Sequence, residues 1–237
     1  FEQMVNDLKS AKSDDVVLLH GCCHNPCGAD LTLEQWSILA DMALAQGFTV
    51  LIDLAYQGMG SGLVEDVQGL RLMASRLGEL IVAASCSKNF GLYRERTGVA
   101  LFFGRDTQSA AATQSHGLGA ARRVYSMPPA HGALLAGRVL SDPELRSSWE
   151  RELEHVCGRM ISLRTQLSEK LSAKTDQDFS FIAGEKGMFS FLGLSVEQAK
   201  GLRQTHGLYM LDSSRINVAA LNADNMDKVV AAVASAL

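Results

Sequence analysis

Short apolar runs and polar, glycine-bearing breaks alternate along the first hundred residues. Phe1, Met4, Val5 and Leu8 fall at helical spacing, so a helix is expected at the very start. Val16–His20 is a short apolar run with strand character. Thr32-Leu33-Glu34-Gln35 carries the hydroxyl and amide of a capping box, which opens a helix that Gly47 ends. Residues 48–53 read as the next buried strand, Leu80–Ser85 and 99–103 as two more short apolar strands, and a helix over roughly 66–77 stops at Gly78. Strands alternating with helices predict an α/β domain, with a largely parallel sheet and flanking helices.

The pattern changes after Pro143. Leu145, Trp149, Leu153, Val156, Met160, Leu163, Leu167 and Leu171 recur every three or four residues, the signature of one long amphipathic helix. Beyond it a strand near 188–192, a helix over Val196–His206, two short strands and a terminal helix from about Asn222 are expected. This predicts a smaller C-terminal α+β domain over 144–237, with the long helix bridging it to residues 1–143. There is no internal repeat and no low-complexity segment.

Composition narrows the classes. A net charge of −4, without any lysine- or arginine-rich block, argues against a nucleic-acid footprint. No apolar run reaches the length of a membrane span. Five cysteines, three of them within 22–27, do not suit a secreted disulfide framework, so a reducing, cytoplasmic setting is expected. The opening Phe1-Glu2-Gln3-Met4 has no initiator methionine and starts inside a helical pattern; the expectation is a C-terminal fragment.

Candidate chemistry follows the strands. Asn25-Pro26-Cys27-Gly28 comes after the first, Asp53-Leu54-Ala55-Tyr56 ends the second, and Ser85-Cys86-Ser87-Lys88 ends the third. Ligands of open α/β sheets bind beyond the carboxyl ends of the strands, so an amide, an acid, a phenol and an amine should gather at one edge. A lysine there can condense with an aldehyde if its surroundings lower its pKa. An aspartate can keep a ring nitrogen protonated. Ser85, Ser87 and Arg96 could hold a phosphate through charge-assisted bonds. Taken singly, each has a plainer explanation: Lys88 as a solvated lysine, Asp53 as a turn residue, Arg215 as a surface arginine. Only their company changes the weighting.

That company resembles a family. Ser85-Cys86-Ser87-Lys88-Asn89-Phe90-Gly91-Leu92-Tyr93-Arg94-Glu95-Arg96 is similar to the lysine motif of class I (fold-type I) pyridoxal-phosphate-dependent aminotransferases, in the aspartate/aromatic subgroup. His20-Gly21-Cys22-Cys23-His24-Asn25-Pro26 and Asp53-Leu54-Ala55-Tyr56-Gln57-Gly58 resemble two earlier motifs of that subgroup. Tyr125-Ser126-Met127-Pro128-Pro129-Ala130-His131-Gly132 and Ser214-Arg215-Ile216-Asn217-Val218 resemble two later ones. Five motifs in order, spread over the whole chain, make the likeness specific.

The resemblance implies pyridoxal 5'-phosphate as cofactor, carried on Lys88, which would also shuttle the substrate proton. It implies that Asp53 holds the pyridine nitrogen protonated and that Tyr56 and Asn25 bond the ring's phenolic oxygen. Ser85, Ser87 and Arg96 would bind the phosphate. Arg215, with Phe189 nearby, would bind the substrate α-carboxylate. Arg122 would reach the partner subunit's site in a homodimer and bind a second carboxylate, and His20 would lie beside Asp53. Residues 1–143 would be the C-terminal part of the cofactor-binding large domain and 144–237 the small domain. Two positions depart from the family pattern: Cys27 stands where threonine is usual, and Met127 where asparagine or a small residue is usual. The first is expected to be tolerated; the second bears on the side-chain pocket.

The implied activity is exchange of an amino group between an aspartate-like or aromatic L-amino acid and a 2-oxo acid. Two other classes share the motifs: another fold-type I enzyme, such as a decarboxylase or lyase, and a regulator in which an aminotransferase-like domain is joined to a DNA-binding module. Two arginine clamps favour amino-acid/2-oxo-acid exchange over the former. A metal reading of Cys22, Cys23, His24 and Cys27 is disfavoured. Adjacent cysteines on an extended segment face opposite ways, and no second ligand pair follows.

Overall fold

The computed structural model describes all 237 residues. The chain packs into two compact units. One comprises Phe1–Cys22, Leu31–Gly58 and Leu63–Glu152; the other comprises Cys23–Asp30, Met59–Gly62 and Leu153–Leu237. The division in the second half thus falls inside a helix, and two loops of the N-terminal half belong with the C-terminal unit.

The first unit opens with α1 (Glu2–Leu8) and then runs β1 (Val16–His20), α2 (Leu33–Gln46), β2 (Thr49–Leu54), α3 (Gln68–Arg76), β3 (Leu80–Ser85) and β4 (Gly98–Phe103). The sheet order is β1-β2-β3-β4; the first two pairings are parallel and the last antiparallel. Two successive right-handed crossovers in the same direction put α2 and α3 on one face. Strand residues of one parity are accordingly buried, with Val50, Ile52 and Val82 fully so and Leu19, Leu54 and Leu80 nearly so. The expected capping box forms: Gln35 N–H donates to Thr32 Oγ1 at 3.3 Å and Thr32 N–H to Gln35 Oε1 at 2.9 Å. Gly47 closes α2 in the left-handed conformation, φ 82°. Arg76 ties α3 back to α2 through the Ser37 hydroxyl at 2.8 Å and the Asp41 carboxylate.

After β4 come α4 (Thr107–Tyr125), α5 (His131–Ser141) and the long α6 (Pro143–Lys174). Asp106 caps α4 by accepting from Ser109 N–H at 2.7 Å, yet no residue of α4 is buried. Asp142 caps α6 through Glu144 and Leu145 N–H groups.

The second unit contains α6 from Leu153 onward, then α7 (Phe181–Gly184), β5 (Phe189–Phe191), α8 (Val196–His206), β6 (Arg215–Asn217) and α9 (Met226–Ala236). Its core joins Met160, Leu163, Leu167 and Leu171 of α6 to Phe179, Ile182, Leu202, Val218, Val230 and Val233. β5 and β6 form an antiparallel pair, Phe189 opposite Asn217 and Phe191 opposite Arg215. One of the two strands expected between α8 and α9 does not form. Leu208 and Met210 pack against the core instead, and the Arg203 guanidinium bonds Met210 O and Asp212. One backbone acceptor of the segment, Met210 O, is thus served by a side chain rather than by a neighbouring strand.

Candidate active site

β2 and β3 run parallel, so their carboxyl ends emerge side by side, with Asp53 in register with Ala83 and Leu54 with Ala84. Asp53, half-buried near the end of β2, is also in register with His20 of β1, and Gly21 N–H donates to Asp53 O at 2.8 Å. His20 and Asp53 are therefore neighbours across the ladder, as expected. Tyr56, two residues past β2, is buried at 7% exposure. The Lys88 amine lies over its ring, 4.7 Å from the centroid. An ammonium there is held by the ring's negative face while its stem stays partly shielded from water.

The segment that carries Lys88 is braced on both sides. Asn89 Nδ2 donates to Gln57 O at 3.2 Å, which ties it to the segment after β2. Trp149 of α6 donates its indole N–H to Asn89 O at 2.7 Å, and Phe90 stacks on the Trp149 ring with centroids 4.4 Å apart and planes 15° off parallel. Asn89 Oδ1 is buried with no hydrogen-bond partner. From the sequence Trp149 reads as one more apolar position of the long helix; its polar edge is what fixes the lysine loop.

Ser85 and Ser87 form a hydroxyl pair: Ser85 Oγ donates to Ser87 Oγ at 2.9 Å, and Ser87 N–H donates to Ser85 Oγ at 3.1 Å. Both hydroxyls can turn toward a single anion, since hydroxyl rotors reorient freely. Burial pushes the Cys86 thiol between them above the usual thiol range, so it stays protonated at neutral pH and is no nucleophile. Arg96 sits in the left-handed region at φ 52°, exposed, with Nη1 donating to Tyr93 O at 2.8 Å. That bond uses one of five guanidinium donors and leaves the rest for an anion. Amine, carboxylate, phenol, hydroxyl pair and guanidinium, carried at the ends of β2 and β3 and on the segments that follow them, are the donors and acceptors that an aromatic aldehyde bearing a phosphate calls for.

The second unit assembles another group. Arg215 Nη1 donates to Asn25 Oδ1 at 3.0 Å, and the guanidinium carbon lies 4.6 Å from the Phe189 ring centroid. Stacking on a ring leaves the in-plane N–H fork free to take a carboxylate bidentately. Ser214, just before it, is buried at φ 63°, held by Leu192 N–H on its carbonyl and Gly193 N–H on its hydroxyl. The Asn25 loop is fixed by Asp30, whose carboxylate accepts from Cys23 and His24 N–H at 2.8 and 2.9 Å. Gly28 N–H donates to His24 O, and Lys186 N–H to Gly28 O, both at 2.7 Å. Gly28 has φ 75°, and a Cβ there would lie 2.6 Å from Phe189 O, so only glycine fits. The Cys27 sulfur lies 3.0 Å from His24 Nδ1, so the thiol standing in place of the usual threonine keeps a polar contact.

Arg122 is exposed in the last turn of α4, and no hydrogen bond or ion pair links it to the Lys88 cluster. Met127, in the turn between α4 and α5, is 77% exposed. Sequence reading missed Arg164, which is 2% exposed on α6. The available signal was a charged residue on the buried stripe, between Met160 and Leu167 at helical spacing.

Comparison with known proteins gives the family. The family model for class I and II aminotransferases matches residues 1–233. An aromatic-amino-acid aminotransferase of Paracoccus denitrificans is 50% identical over 232 residues, which is 98% of this chain and 59% of that protein. An aspartate aminotransferase of Escherichia coli K12 is 45% identical over 238 residues, covering 100% and 60%. Among solved structures, an aromatic-amino-acid aminotransferase of Burkholderia pseudomallei, covalently bound to pyridoxal phosphate, superposes with a TM-score of 0.97 at 38% identity, covering 100% of this chain and 59% of that one. The chain thus spans about 60% of the length of these relatives. With the family model matched nearly end to end and the lysine, acid and arginine motifs in order along it, the chain belongs to the class I and II aminotransferases.

Proposed function

We propose that the protein containing this chain is a pyridoxal-phosphate-dependent transaminase exchanging an amino group between an aspartate-like or aromatic L-amino acid and a 2-oxo acid. The observation that carries this reading is the Lys88 amine over the Tyr56 ring at the sheet edge that also bears Asp53 and the Ser85–Ser87 pair. The names of the relatives support it over a transcriptional regulator or another fold-type I chemistry.

Bound at this edge, pyridoxal phosphate supplies an electron-poor ring that accepts the electron pair left when the substrate α-proton departs. The remaining work falls to the chain. Lys88 Nζ would hold the cofactor and, as a free amine, would take the proton from the substrate α-carbon and return it to the cofactor's carbon. The Asp53 carboxylate holds a proton on the ring nitrogen. Tyr56 and Asn25 bond the phenolic oxygen, and Ser85, Ser87 and Arg96 bind the phosphate. Arg215, stacked on Phe189, takes the α-carboxylate. In a homodimer Arg122 takes a side-chain carboxylate in the neighbouring subunit's site. In this reading 1–143 is the C-terminal part of the cofactor-binding domain, 144–237 the small domain, and the enzyme is cytoplasmic. No helix is long and apolar enough to cross a membrane.

The test uses the full-length protein. Borohydride reduction followed by peptide mapping should place the phosphopyridoxyl group on Lys88, and an amino-donor panel should show turnover of aspartate, phenylalanine or tyrosine. A label on another lysine, or no amino transfer with any donor, refutes the proposal.

A further inference from the structure

Arg164 is the most heavily bonded side chain of the second unit, and nothing in the proposed chemistry uses it. Its guanidinium is 2% exposed on α6. Nε donates to Gly187 O at 3.0 Å. Nη1 donates to Ile182 O and to Glu185 Oε2, both at 3.2 Å. Nη2 donates to Lys186 O at 3.1 Å, to Gly187 O at 2.9 Å and to Phe189 O. Glu185 in turn accepts from Ser190 Oγ of β5, a hydroxyl with no exposure at all. With every nitrogen engaged, Arg164 has no donor to offer a substrate.

Burial lowers the guanidinium's pKa and raises that of the Glu185 carboxyl, desolvation outweighing their mutual attraction at both groups. A buried ion pair of this kind is weak support for stability as such, because apolar residues of similar volume would often serve as well. What it fixes is geometry. The acceptors run along 182–189 and lock the approach to β5, whose first residue, Phe189, is the ring beneath Arg215. The same guanidinium borders the Asn25 loop, since Nη2 would lie 3.0 Å from a Cβ placed on Gly28. Lys186, whose carbonyl accepts from Arg164, donates its own N–H to Gly28 O. Both supports of Arg215, the Phe189 ring beneath and the Asn25 amide beside it, are thus anchored on one buried cation.

We propose that Arg164 is a positioning residue for carboxylate recognition: it holds Phe189 and the Asn25 loop so that the Arg215 fork stays aimed. This rests on the reading of Arg215 as the α-carboxylate clamp.

The test measures binding rather than turnover, by titration calorimetry on the full-length protein with 3-phenylpropionate against 3-phenylpropionamide. The ratio of the two dissociation constants reports recognition of the single carboxylate. Arg215→Ala tests the clamp itself: if it leaves the ratio unchanged, the clamp reading fails, whatever Arg164 does. With the clamp established, Arg164→Lys should cut the discrimination on the order of tenfold, the loss of about one charge-assisted hydrogen bond from a misaimed fork. The same substitution should have no further effect in an Arg215→Ala background. A second variant, Arg164→Met with Glu185→Leu, removes both charges together and so avoids leaving one buried and unpaired. It should lose discrimination while its melting temperature stays near that of the parent. Should Arg164→Lys fail to fold, this pair decides. Full discrimination in a folded Arg164 variant, or an equal loss with and without Arg215, overturns the proposal and leaves Arg164 a purely structural residue.

Discussion

Trp149 and Asn89, sixty positions apart in sequence, are joined by an indole N–H···O=C bond of 2.7 Å that fixes the backbone one residue beyond Lys88. The bond comes with a stack, Phe90 on the Trp149 ring. Two separable contributions therefore hold the lysine loop. Trp149→Phe keeps the ring and deletes the donor, so it should lower stability by about 1 kcal/mol. Trp149→Ala deletes both and should add about another 1 kcal/mol from the lost stacking, before any cavity term. Denaturant unfolding of the full-length protein measures both. In each variant borohydride labelling of Lys88 should slow relative to the parent. A Trp149→Phe protein with parental stability and labelling would show that the bond contributes nothing.

The Asn25 amide oxygen accepts from Arg215 at 3.0 Å. Asn25→Ala removes that acceptor and the cofactor contact assigned to the same amide. Loss of a hydrogen bond to a charged group is worth about 1.5–3 kcal/mol, or roughly 10- to 150-fold in affinity. KM for the amino donor should rise by that order, with a smaller fall in kcat. A change confined to kcat would mean that Asn25 does not orient the arginine.

Asp53→Asn keeps size and hydrogen-bonding capacity at the end of β2 but removes the charge. A neutral amide cannot hold the ring nitrogen protonated, so amino transfer should fall by several orders of magnitude while cofactor stays bound. Absorbance of the bound cofactor together with steady-state turnover checks both halves. Near-normal turnover would remove the electronic role given to Asp53.

Arg122 tests assembly. If it serves the neighbouring subunit's site, Arg122→Ala should lower kcat/KM for aspartate far more than for phenylalanine, because only the former brings a second carboxylate. Mixing Arg122→Ala with Lys88→Ala subunits should partly restore aspartate turnover, since one hybrid site combines an intact lysine with an intact arginine. Equal losses for both donors, or no recovery on mixing, would leave Arg122 a solvated charge at the end of α4.

Asp106 gives a pH dependence with a definite sign. Its carboxyl lies below the ordinary aspartate range because it accepts from Ser109 N–H at the start of α4. A depressed folded-state pKa contributes stability above the unfolded pKa, near 3.9, and loses it as pH falls through the folded value. Amide exchange in the first turn of α4 should therefore be slower in the parent than in Asp106→Ala at pH 6. The difference should shrink as the pH is lowered below about 4. A difference independent of pH would mean that the carboxylate is not the cap.

The sequence by itself determined the elements whose signals are local. The Thr32–Gln35 capping box, the Gly47 stop, the Val196–His206 helix and the strand runs at 16–20 and 80–85 form essentially where periodicity and end signals put them. It also determined the order of the site motifs, because parallel strands deliver their C-terminal loops to one edge. Tertiary structure decided what depends on a partner distant in sequence. α4 was not legible because it has no apolar stripe and buries no residue. One of the two strands expected between α8 and α9 gave way to a segment whose Leu208 and Met210 pack on the core and whose Met210 O accepts from Arg203. Trp149 looks like an ordinary apolar helix position, and Arg164 like a charge misplaced on the buried stripe, until the fold shows which carbonyls they reach. A hydrogen bond between residues tens of positions apart leaves no period in the sequence, so the side chains that aim a site are the last to be read from it.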